Sequence, residues 1–223
     1  MYDHIFLFDT QNTHENLLPL SFTRPISDFR IGIKTIRQKW ESMLPGNYEY
    51  LPVEYLREKF GTGPSNDDDV ILISGSLLPD THIIKEINSL EHNQAILDGD
   101  EPIAFKGNYS DFLSSNFSPK NTDVEIRRIR YAFDVFLRNA EEIKNDFFRL
   151  TAGRKSMPLD SSNTVIGNFT DESGRELLFI EEGANIEAAN INLKDGPIYI
   201  GKNAEIMEGC SVRGPLALCE NAK

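Results

Sequence analysis

The chain has 223 residues, of which 39% are hydrophobic and 26% are charged, and its formal net charge is −12. This composition is typical of a globular protein with a sizeable core, and it excludes a disordered chain. The negative charge argues against nucleic acid or an anionic membrane as a partner, because both bind clustered lysine and arginine. An anionic ligand must therefore be held by a local group of cationic side chains.

The first residues, MYDHIFLFD, carry Asp3 where a leader peptide would be basic, and they lack a small-residue cleavage site. We therefore expect a first strand here and a cytoplasmic protein. No apolar run approaches the ~20 residues of a membrane-spanning helix. Cys210 and Cys219 do not form a CxxC motif, so we expect buried thiols, and the four histidines lie at no zinc-ligand spacing.

The first two thirds of the chain alternate short apolar runs with helical patterns, which is typical of an α/β domain. YDHIFLF at 2–8 and DVILISG at 69–75 are near-continuous apolar runs, so we expect strands that are covered on both faces. Apolar residues at helical spacing predict a helix over 31–44, a second helix with Thr81 as its N-cap, and a third helix that begins near Asn139.

Polar segments separate these elements. Residues 61–68 and 107–123 predict loops. LDGDEP at 97–102 contains the Asp-Gly pair of a tight hairpin turn, and we favour that turn over the alternative, a cation site made by Asp98 and Asp100.

After about Leu177 apolar residues recur at every sixth position. This period fits neither a helix of 3.6 residues per turn nor a single amphipathic strand, and it predicts a solenoid of stacked short strands. Ordinary strands with chance spacing are the alternative. Two extra residues around NLKDGP interrupt the period. Its aliphatic positions are Ile180, Ile186, Ile200, Ile206, Val212 and Leu218, and its small or apolar positions are Ala184, Ala204, Cys210, Leu216 and Ala222.

The repeats resemble the hexapeptide motif of left-handed parallel β-helices, in which three hexads form one triangular coil, here residues 200–217. The resemblance implies a homotrimer assembled through the β-helix, with an acyl donor such as acetyl-CoA bound between subunits. The coils that usually carry this acyl site would lie beyond Lys223. We therefore expect a C-terminally truncated chain, and acetyl-CoA as a cofactor only of the full-length protein.

The segment PLSFTRPISDF at 19–29 resembles the stretch that follows the glycine-rich loop of sugar nucleotidyltransferases. A divergent branch of the bifunctional UDP-N-acetylglucosamine pyrophosphorylase and glucosamine 1-phosphate N-acetyltransferase family shares further motifs with the chain. They are TRP at 23–25, DFRIGIKTIRQKW at 28–40, LLP at 77–79, GRKS at 153–156 and GPIYIGKNAEIMEG at 196–209.

The resemblance implies an α/β fold class, with a Rossmann-like nucleotidyltransferase-type domain followed by the start of a left-handed β-helix. We expect the first domain over residues 1–150, a linker over 151–176 and the first coils over 177–223. The implied reaction transfers the uridylyl group of UTP to N-acetylglucosamine 1-phosphate, with pyrophosphate as the second product and Mg²⁺ as cofactor. The expected partners are thus a nucleoside triphosphate and a sugar 1-phosphate.

Candidate site residues follow from these motifs. Arg24 and Arg30 are the candidate catalytic residues, because guanidinium groups can stabilise the charge on the transferred phosphate. Lys155 and Arg154 are possible phosphate contacts, and the metal ligands stay unassigned. The candidate nucleotide-binding residues are Asp9, Thr10, Thr23, Lys34, Gly75 and Ser76.

The sequence also departs from the nucleotidyltransferase pattern. The glycines that cradle phosphate are not retained, since Gln11, Asn12 and His14 stand at those positions. Ile26 replaces a lysine, and Ser76 replaces the aspartate that holds Mg²⁺ in active relatives. These departures leave two alternatives open: a catalytically degenerate nucleotide-binding or regulatory domain attached to an acyltransferase, and a trimerisation scaffold.

Structural roles are also open for the candidate residues. Arg24 and Arg30 could pair with Asp28 or Asp9, and Asp9 could cap a loop instead of binding magnesium. Arg154 and Lys155 could stabilise a helix C-terminus, where cations interact favourably with the helix dipole. The remaining cations of the TIRQKW region could form a solvated helix face, namely Lys34, Arg37 and Lys39.

Overall fold

A computed structural model describes residues 2–223, except for the side chains of residues 2 and 3. Contacts divide the chain into two compact units. The N-terminal unit comprises the residues up to Arg30 together with Lys34–Val135, and the C-terminal unit comprises Ile31–Ile33 together with Phe136–Lys223. The predicted boundaries at residues 150 and 176 stay predictions. Among the described residues, no helix has the length and apolar character needed to span a bilayer.

The N-terminal unit is a mixed α/β unit around one six-stranded sheet, with strand order β2-β1-β3-β5-β4-β6. Its strands are β1 (Tyr2–Phe8), β2 (Gly46–Leu51), β3 (Asp69–Ser74), β4 (Gln94–Asp98), β5 (Glu101–Asn108) and β6 (Ser118–Lys120). Its helices are α1 (Gln11–Asn16), α2 (Ile36–Met43), α3 (Arg57–Phe60), α4 (Thr81–Asn88) and α5 (Tyr109–Leu113), and helix α6 (Ala132–Thr151) starts in it.

The centre of this sheet is parallel, and the strands predicted at 2–8 and 69–75 are confirmed as β1 and β3. Strand β1 pairs in parallel with β2 and with β3, whereas β5 runs antiparallel to its neighbours β3 and β4. Leu7 and Leu72 have no exposed surface, which is expected for strands covered on both faces. The carboxyl ends of β1, β2 and β3 therefore lie at the same edge of the sheet.

Three predicted helix starts are corrected by the structure. The helix predicted over 31–44 begins at Ile36, because the Thr35 side chain and Gln38 form a capping box at that point. The N-cap of α4 is Asp80 and not Thr81, since the Asp80 carboxylate accepts two backbone N–H groups. Helix α6 begins at Ala132, so Asn139 lies inside the helix and caps nothing.

The loop and turn predictions for the polar segments have different outcomes. Residues 61–68 contain no helix or strand, as predicted. The 107–123 loop prediction is wrong in part, because this segment contains the end of β5, helix α5 and strand β6. The predicted hairpin is confirmed, since Asp98 pairs with Glu101 and Gly99 turns with a φ of 65°.

The C-terminal unit contains three stacks of short parallel strands. Ile200 pairs with Ile180 on one side and with Leu218 on the other, and Ile206 pairs with Ile186. The step from Ile200 to Leu218 is the eighteen residues that three hexads predict, so the arrangement is compatible with a β-helix. The strands are β7 (Thr164–Ile166), β8 (Leu178–Ile180), β9 (Asn185–Ile186), β10 (Asn190–Asn192), β11 (Ile198–Ile200), β12 (Glu205–Ile206), β13 (Ser211–Arg213) and β14 (Leu216–Leu218).

The tripeptide Ile31–Ile33 packs against α6 within the C-terminal unit. The Gly32 N–H donates to Oδ1 of Asn139 at 2.8 Å, and the Ile33 N–H donates to Oδ2 of Asp146 at 2.9 Å. Gly32 has a φ of +80°, and a Cβ at this position would lie 2.7 Å from the backbone of Glu142. The glycine of the DFRIG motif is thus required by a close helix contact.

Candidate functional site

The carboxyl ends of β1 and β3 are joined by tight backbone packing. The Gly75 N–H donates to the carbonyl oxygen of Phe8 at 2.7 Å. A Cβ on Gly75 would lie 2.6 Å from Oδ1 of Asp9 and 3.3 Å from the backbone nitrogen of Ser27. A side chain at position 75 would therefore have to displace the Asp9 carboxylate, so packing favours glycine there.

The Asp9 side chain contacts the segment that follows the TRP motif. Its Oδ2 accepts the Ile26 N–H at 3.1 Å, and its Oδ1 is buried with no hydrogen-bond partner among the described residues. Burial raises the pKa of Asp9 from 3.8 to about 7, the Ile26 N–H opposes this, and the charge of Asp28 adds to it. Ile26 and Ser27 have no exposed surface. The chain itself thus fills the space beside Asp9 and Gly75, and nucleotide contact by these two residues stays a prediction.

Ser76 and Thr10 are held by other side chains at the same edge. Ser76 is fully buried, and its Oγ lies 2.9 Å from Oγ of Ser74 and accepts Nε–H of Arg128 at 3.2 Å. Thr10 is the N-cap of α1, and its hydroxyl donates to Glu101 at 2.8 Å. Nucleotide contact by Thr10 and Ser76 also stays a prediction.

A cavity that is open to solvent lies beside β2, and it is lined by three of the predicted site residues, Thr23, Arg24 and Arg30. We call it the arginine cleft. It has a volume of about 700 Å³ and is built from three segments, namely the loop after α1, the first turns of α2, and β2 with α3. The loop follows the carboxyl end of β1 and α3 follows that of β2, so the cleft is beside this edge of the sheet. Its lining residues are Thr23, Arg24, Asp28, Arg30, Thr35, Arg37, Gln38, Glu41, Tyr50, Lys59 and Phe60.

Cationic side chains outnumber acidic ones in the arginine cleft, although the whole chain is acidic. Both candidate catalytic residues, Arg24 and Arg30, line it, together with Arg37 and Lys59. Among the described residues, the exposed Arg24 side chain has no hydrogen bond or ion pair. The alternative in which Arg24 pairs with Asp28 or Asp9 is therefore not observed. Arg24 and Arg30 also line an adjoining groove of about 340 Å³.

Several contacts in the arginine cleft are made by Tyr50. The Tyr50 hydroxyl donates to Oδ1 of Asp28 at 2.5 Å, and the Arg37 guanidinium lies over the Tyr50 ring at 4.3 Å from its centre. Arg37 also pairs with Glu41 at 2.7 Å and donates to the carbonyl oxygen of Tyr48 at 2.9 Å. These contacts orient the Tyr50 and Arg37 side chains within the cleft.

Comparison with known families supports the expected fold class. A model of the family described as sugar nucleotidyl transferase matches residues 5–155, which is about two thirds of the chain. The chain belongs to the sugar nucleotidyl transferase family. A comparison with curated proteins finds no match. The family match covers every residue of the arginine cleft, so this cleft is the candidate site of a sugar nucleotidyl transferase.

The carboxyl ends of β1 and β3 do not offer Mg²⁺ a site. Ser76 stands beside the Arg128 guanidinium, which already supplies positive charge, and Asp9 has only one oxygen without a partner. In residues 2–223, no group of three or more His, Cys, Asp or Glu side chains could hold a metal ion. Mg²⁺ thus stays an expectation from the resemblance, and the residues at these strand ends do not fit a magnesium ion.

The remaining predicted residues lie outside the arginine cleft. Lys34 is partly buried and is not among the residues that line the cleft in the described part of the chain. Arg154 belongs to the C-terminal unit, where it pairs with Glu181 at 2.7 Å and lies 4.9 Å from the Phe179 ring centre. Lys155 is exposed in the same unit. Phosphate contact by these residues stays a prediction.

The sequence analysis does not predict where several cationic side chains lie. The alternative of a solvated helix face is wrong for Arg37, which stacks on Tyr50 in the cleft, and for Lys39, which is fully buried. Thr35 and Gln38 stand three residues apart, as in a capping box, and this signal could have predicted a capped helix with Arg37 in its first turn. Lys59 and Arg128 carry no local sequence signal, because their positions depend on distant segments.

Proposed function

We propose that the chain transfers a nucleotidyl group from a nucleoside triphosphate to a sugar 1-phosphate, with the arginine cleft as the phosphate-binding site. The observation that carries this proposal is the convergence of Arg24, Arg30, Arg37 and Lys59 on one cleft within the family-matched region. Guanidinium groups suit this task because they bind phosphate oxygens through two parallel hydrogen bonds. UTP and N-acetylglucosamine 1-phosphate are the substrates that the resemblance implies.

The reaction needs charge neutralisation more than a protein nucleophile. An oxygen of the sugar 1-phosphate attacks the α-phosphorus of the triphosphate, the bond from this phosphorus to the bridging oxygen breaks, and pyrophosphate leaves. Arg24 and Arg30 stabilise the negative charge that builds up on the oxygens of the α-phosphate. Tyr50 and Phe60 give the cleft an aromatic wall, on which a base or sugar ring can lie.

The C-terminal unit is included in the proposal as the first coils of a left-handed parallel β-helix. The pairing of Ile200 with Leu218 supports it, because three hexads return the chain to the same face. Trimer formation and the use of acetyl-CoA would then belong to a longer, bifunctional form of this protein.

A second candidate function is binding of the nucleotide or nucleotide sugar without transfer. It is favoured by the strand ends, where Ile26 and Ser27 fill the space beside Gly75, and where Ser76 contacts a buried arginine. In that case the domain binds a nucleotide sugar in the same cleft and acts as a regulatory domain.

Release of pyrophosphate separates the two candidates. The protein is incubated with UTP and N-acetylglucosamine 1-phosphate, once with Mg²⁺ and once with EDTA, and pyrophosphate is measured. Transfer predicts release that falls about 10²-fold or more in Arg24→Ala and in Arg30→Ala, as expected when one charge-stabilising donor is lost. Arg213→Ala is the matched control, because Arg213 is exposed in the C-terminal unit and pairs only with Asp195 among the described residues.

The outcomes are distinct. Absence of release, combined with a thermal shift by UDP-N-acetylglucosamine that Arg24→Ala abolishes, supports binding without transfer. Undiminished release in both arginine variants contradicts the assignment of the cleft. No release and no thermal shift with any nucleotide contradict both candidates and leave the scaffold alternative.

A further inference from the structure

A buried arginine at the carboxyl end of β3 is surrounded by side-chain oxygens. The side chain of Arg128 is 1% exposed. Its Nε donates to Ser76 at 3.2 Å and its Nη2 donates to Thr13 at 3.0 Å. Its Nη1 donates to Glu101 at 2.8 Å and to Asp98 at 3.3 Å. Two carboxylates and two hydroxyls thus converge on one cation.

These oxygens are of the kind that hard divalent cations prefer. Mg²⁺ and Ca²⁺ bind carboxylate and neutral oxygens in preference to nitrogen or sulfur. Here the same oxygens already accept hydrogen bonds from a guanidinium. A divalent cation would have to displace Arg128, which would leave that charge buried and unpaired at a large cost.

The charges of the cluster are already balanced. Asp98 pairs with both Arg128 and Arg130, and Glu101 pairs with Arg128, so two cations face two carboxylates. Burial raises the pKa of Glu101, but hydrogen bonds and the charge of Arg128, together with the hydroxyls of Thr10 and Thr13, outweigh burial and lower it. Glu101 therefore stays ionised at neutral pH, and little negative charge is left to attract a metal ion.

We propose that Arg128 is a built-in cation that takes the position of a divalent metal at the carboxyl end of β3. The wild-type chain then binds no divalent cation there, and removal of the guanidinium opens a metal site. A corollary rests on the proposed function: phosphate ligands bind in the arginine cleft as tightly in EDTA as in Mg²⁺.

Mn²⁺ binding tests the proposal without any nucleotide. Binding is measured by electron paramagnetic resonance, and thermal midpoints are measured with MnCl₂ against KCl of equal ionic strength. We expect no Mn²⁺ at this position in the wild type. We expect about one Mn²⁺ per chain in Arg128→Ala combined with Ser76→Asp, which supplies a third carboxylate. The midpoint of this variant should rise by about 3 °C when Mn²⁺ is tenfold above its dissociation constant.

A neighbouring arginine provides the matched control. Arg130 pairs with the same Asp98 but its side chain is 52% exposed, so Arg130→Ala leaves the buried position filled and should gain no Mn²⁺ site. A wild-type Mn²⁺ site that Glu101→Gln removes would overturn the proposal. So would a folded double variant that takes up no Mn²⁺. If the double variant does not fold, Mn²⁺ binding is compared between the wild type and Glu101→Gln. A site in the wild type that the variant lacks overturns the proposal, and no site in the wild type supports it.

Nucleotide binding is a separate arm of the test. UDP-N-acetylglucosamine is titrated calorimetrically in EDTA and in Mg²⁺, and equal affinities are expected. A complete lack of binding in both buffers counts against the proposed function, whereas the Mn²⁺ result still decides the role of Arg128. Binding that requires Mg²⁺ contradicts the corollary.

Discussion

At the scale of single residues, the carboxyl group of Asp9 couples its ionisation to folding. Its pKa is raised to about 7 by burial, whereas an exposed aspartate has an ordinary value of 3.8. The folded protein therefore binds this proton more tightly than the unfolded chain does. The stability that the group contributes is fully present below pH 3.8 and is lost as the pH rises to about 7.

We expect Asp9→Asn to remove this pH dependence. An asparagine oxygen can still accept the Ile26 N–H, but it carries no charge. The free energy of unfolding of the variant relative to wild type should rise by up to ~1.4 kcal/mol per pH unit between pH 3.8 and about 7. Urea denaturation at pH 5 and pH 8 measures it, with the exposed Asp100→Asn as control. Parallel pH profiles of wild type and Asp9→Asn would show that burial does not raise the pKa of Asp9 in the folded protein.

At the scale of elements, strands β1 and β3, the β4–β5 hairpin turn and the hexad period could be predicted, because apolar runs, turn residues and repeats are local signals. The start of α2 was placed too early, since Ile33 fits the helical spacing but belongs with α6. The Arg128 cluster could not be predicted. Its partners Thr13 and Ser76 are 115 and 52 residues away along the chain, and no short pattern joins them.

The contact of Gly32 with α6 gives a test at this scale. We expect Gly32→Ala to lower the free energy of unfolding by about 2–4 kcal/mol, because the new Cβ meets the Glu142 backbone and because φ is positive. Gly153→Ala is the matched control: its φ is +70°, but a Cβ there has nothing within 4 Å. That control should lose only about 1 kcal/mol. Chemical denaturation measures both, and equal losses would show that the helix contact contributes nothing.

At the scale of the whole molecule, the C-terminal unit depends on aliphatic side chains that repeat from one short strand to the next in each stack. Ile186, Ile200 and Ile206 are buried, whereas Met207, next to Ile206, is 58% exposed. Each buried aliphatic side chain contributes about 1.5–3 kcal/mol. Stacked short strands have few other contacts, so one charged residue inside the stack should disrupt its neighbours.

We expect Ile206→Asp to unfold this stack, because a carboxylate would be buried without a partner. Met207→Asp places the same charge one residue away on the surface and should change the free energy of unfolding by less than about 0.5 kcal/mol. Hydrogen exchange followed by mass spectrometry measures protection of residues 178–218. Retained protection in Ile206→Asp would show that the six-residue period does not mark buried positions.

The assignment of Ile31–Ile33 to the C-terminal unit determines how the protein can be dissected. A fragment that stops at residue 135 keeps the tripeptide but lacks Asn139 and Asp146, whose side chains accept hydrogen bonds from its backbone N–H groups. Such a fragment would also expose to solvent the side chains of Ile31 and Ile33, which are 0% and 5% exposed in the folded protein. A fragment that is meant to fold as the C-terminal unit therefore needs residues 31–33 as well as residues 136–223.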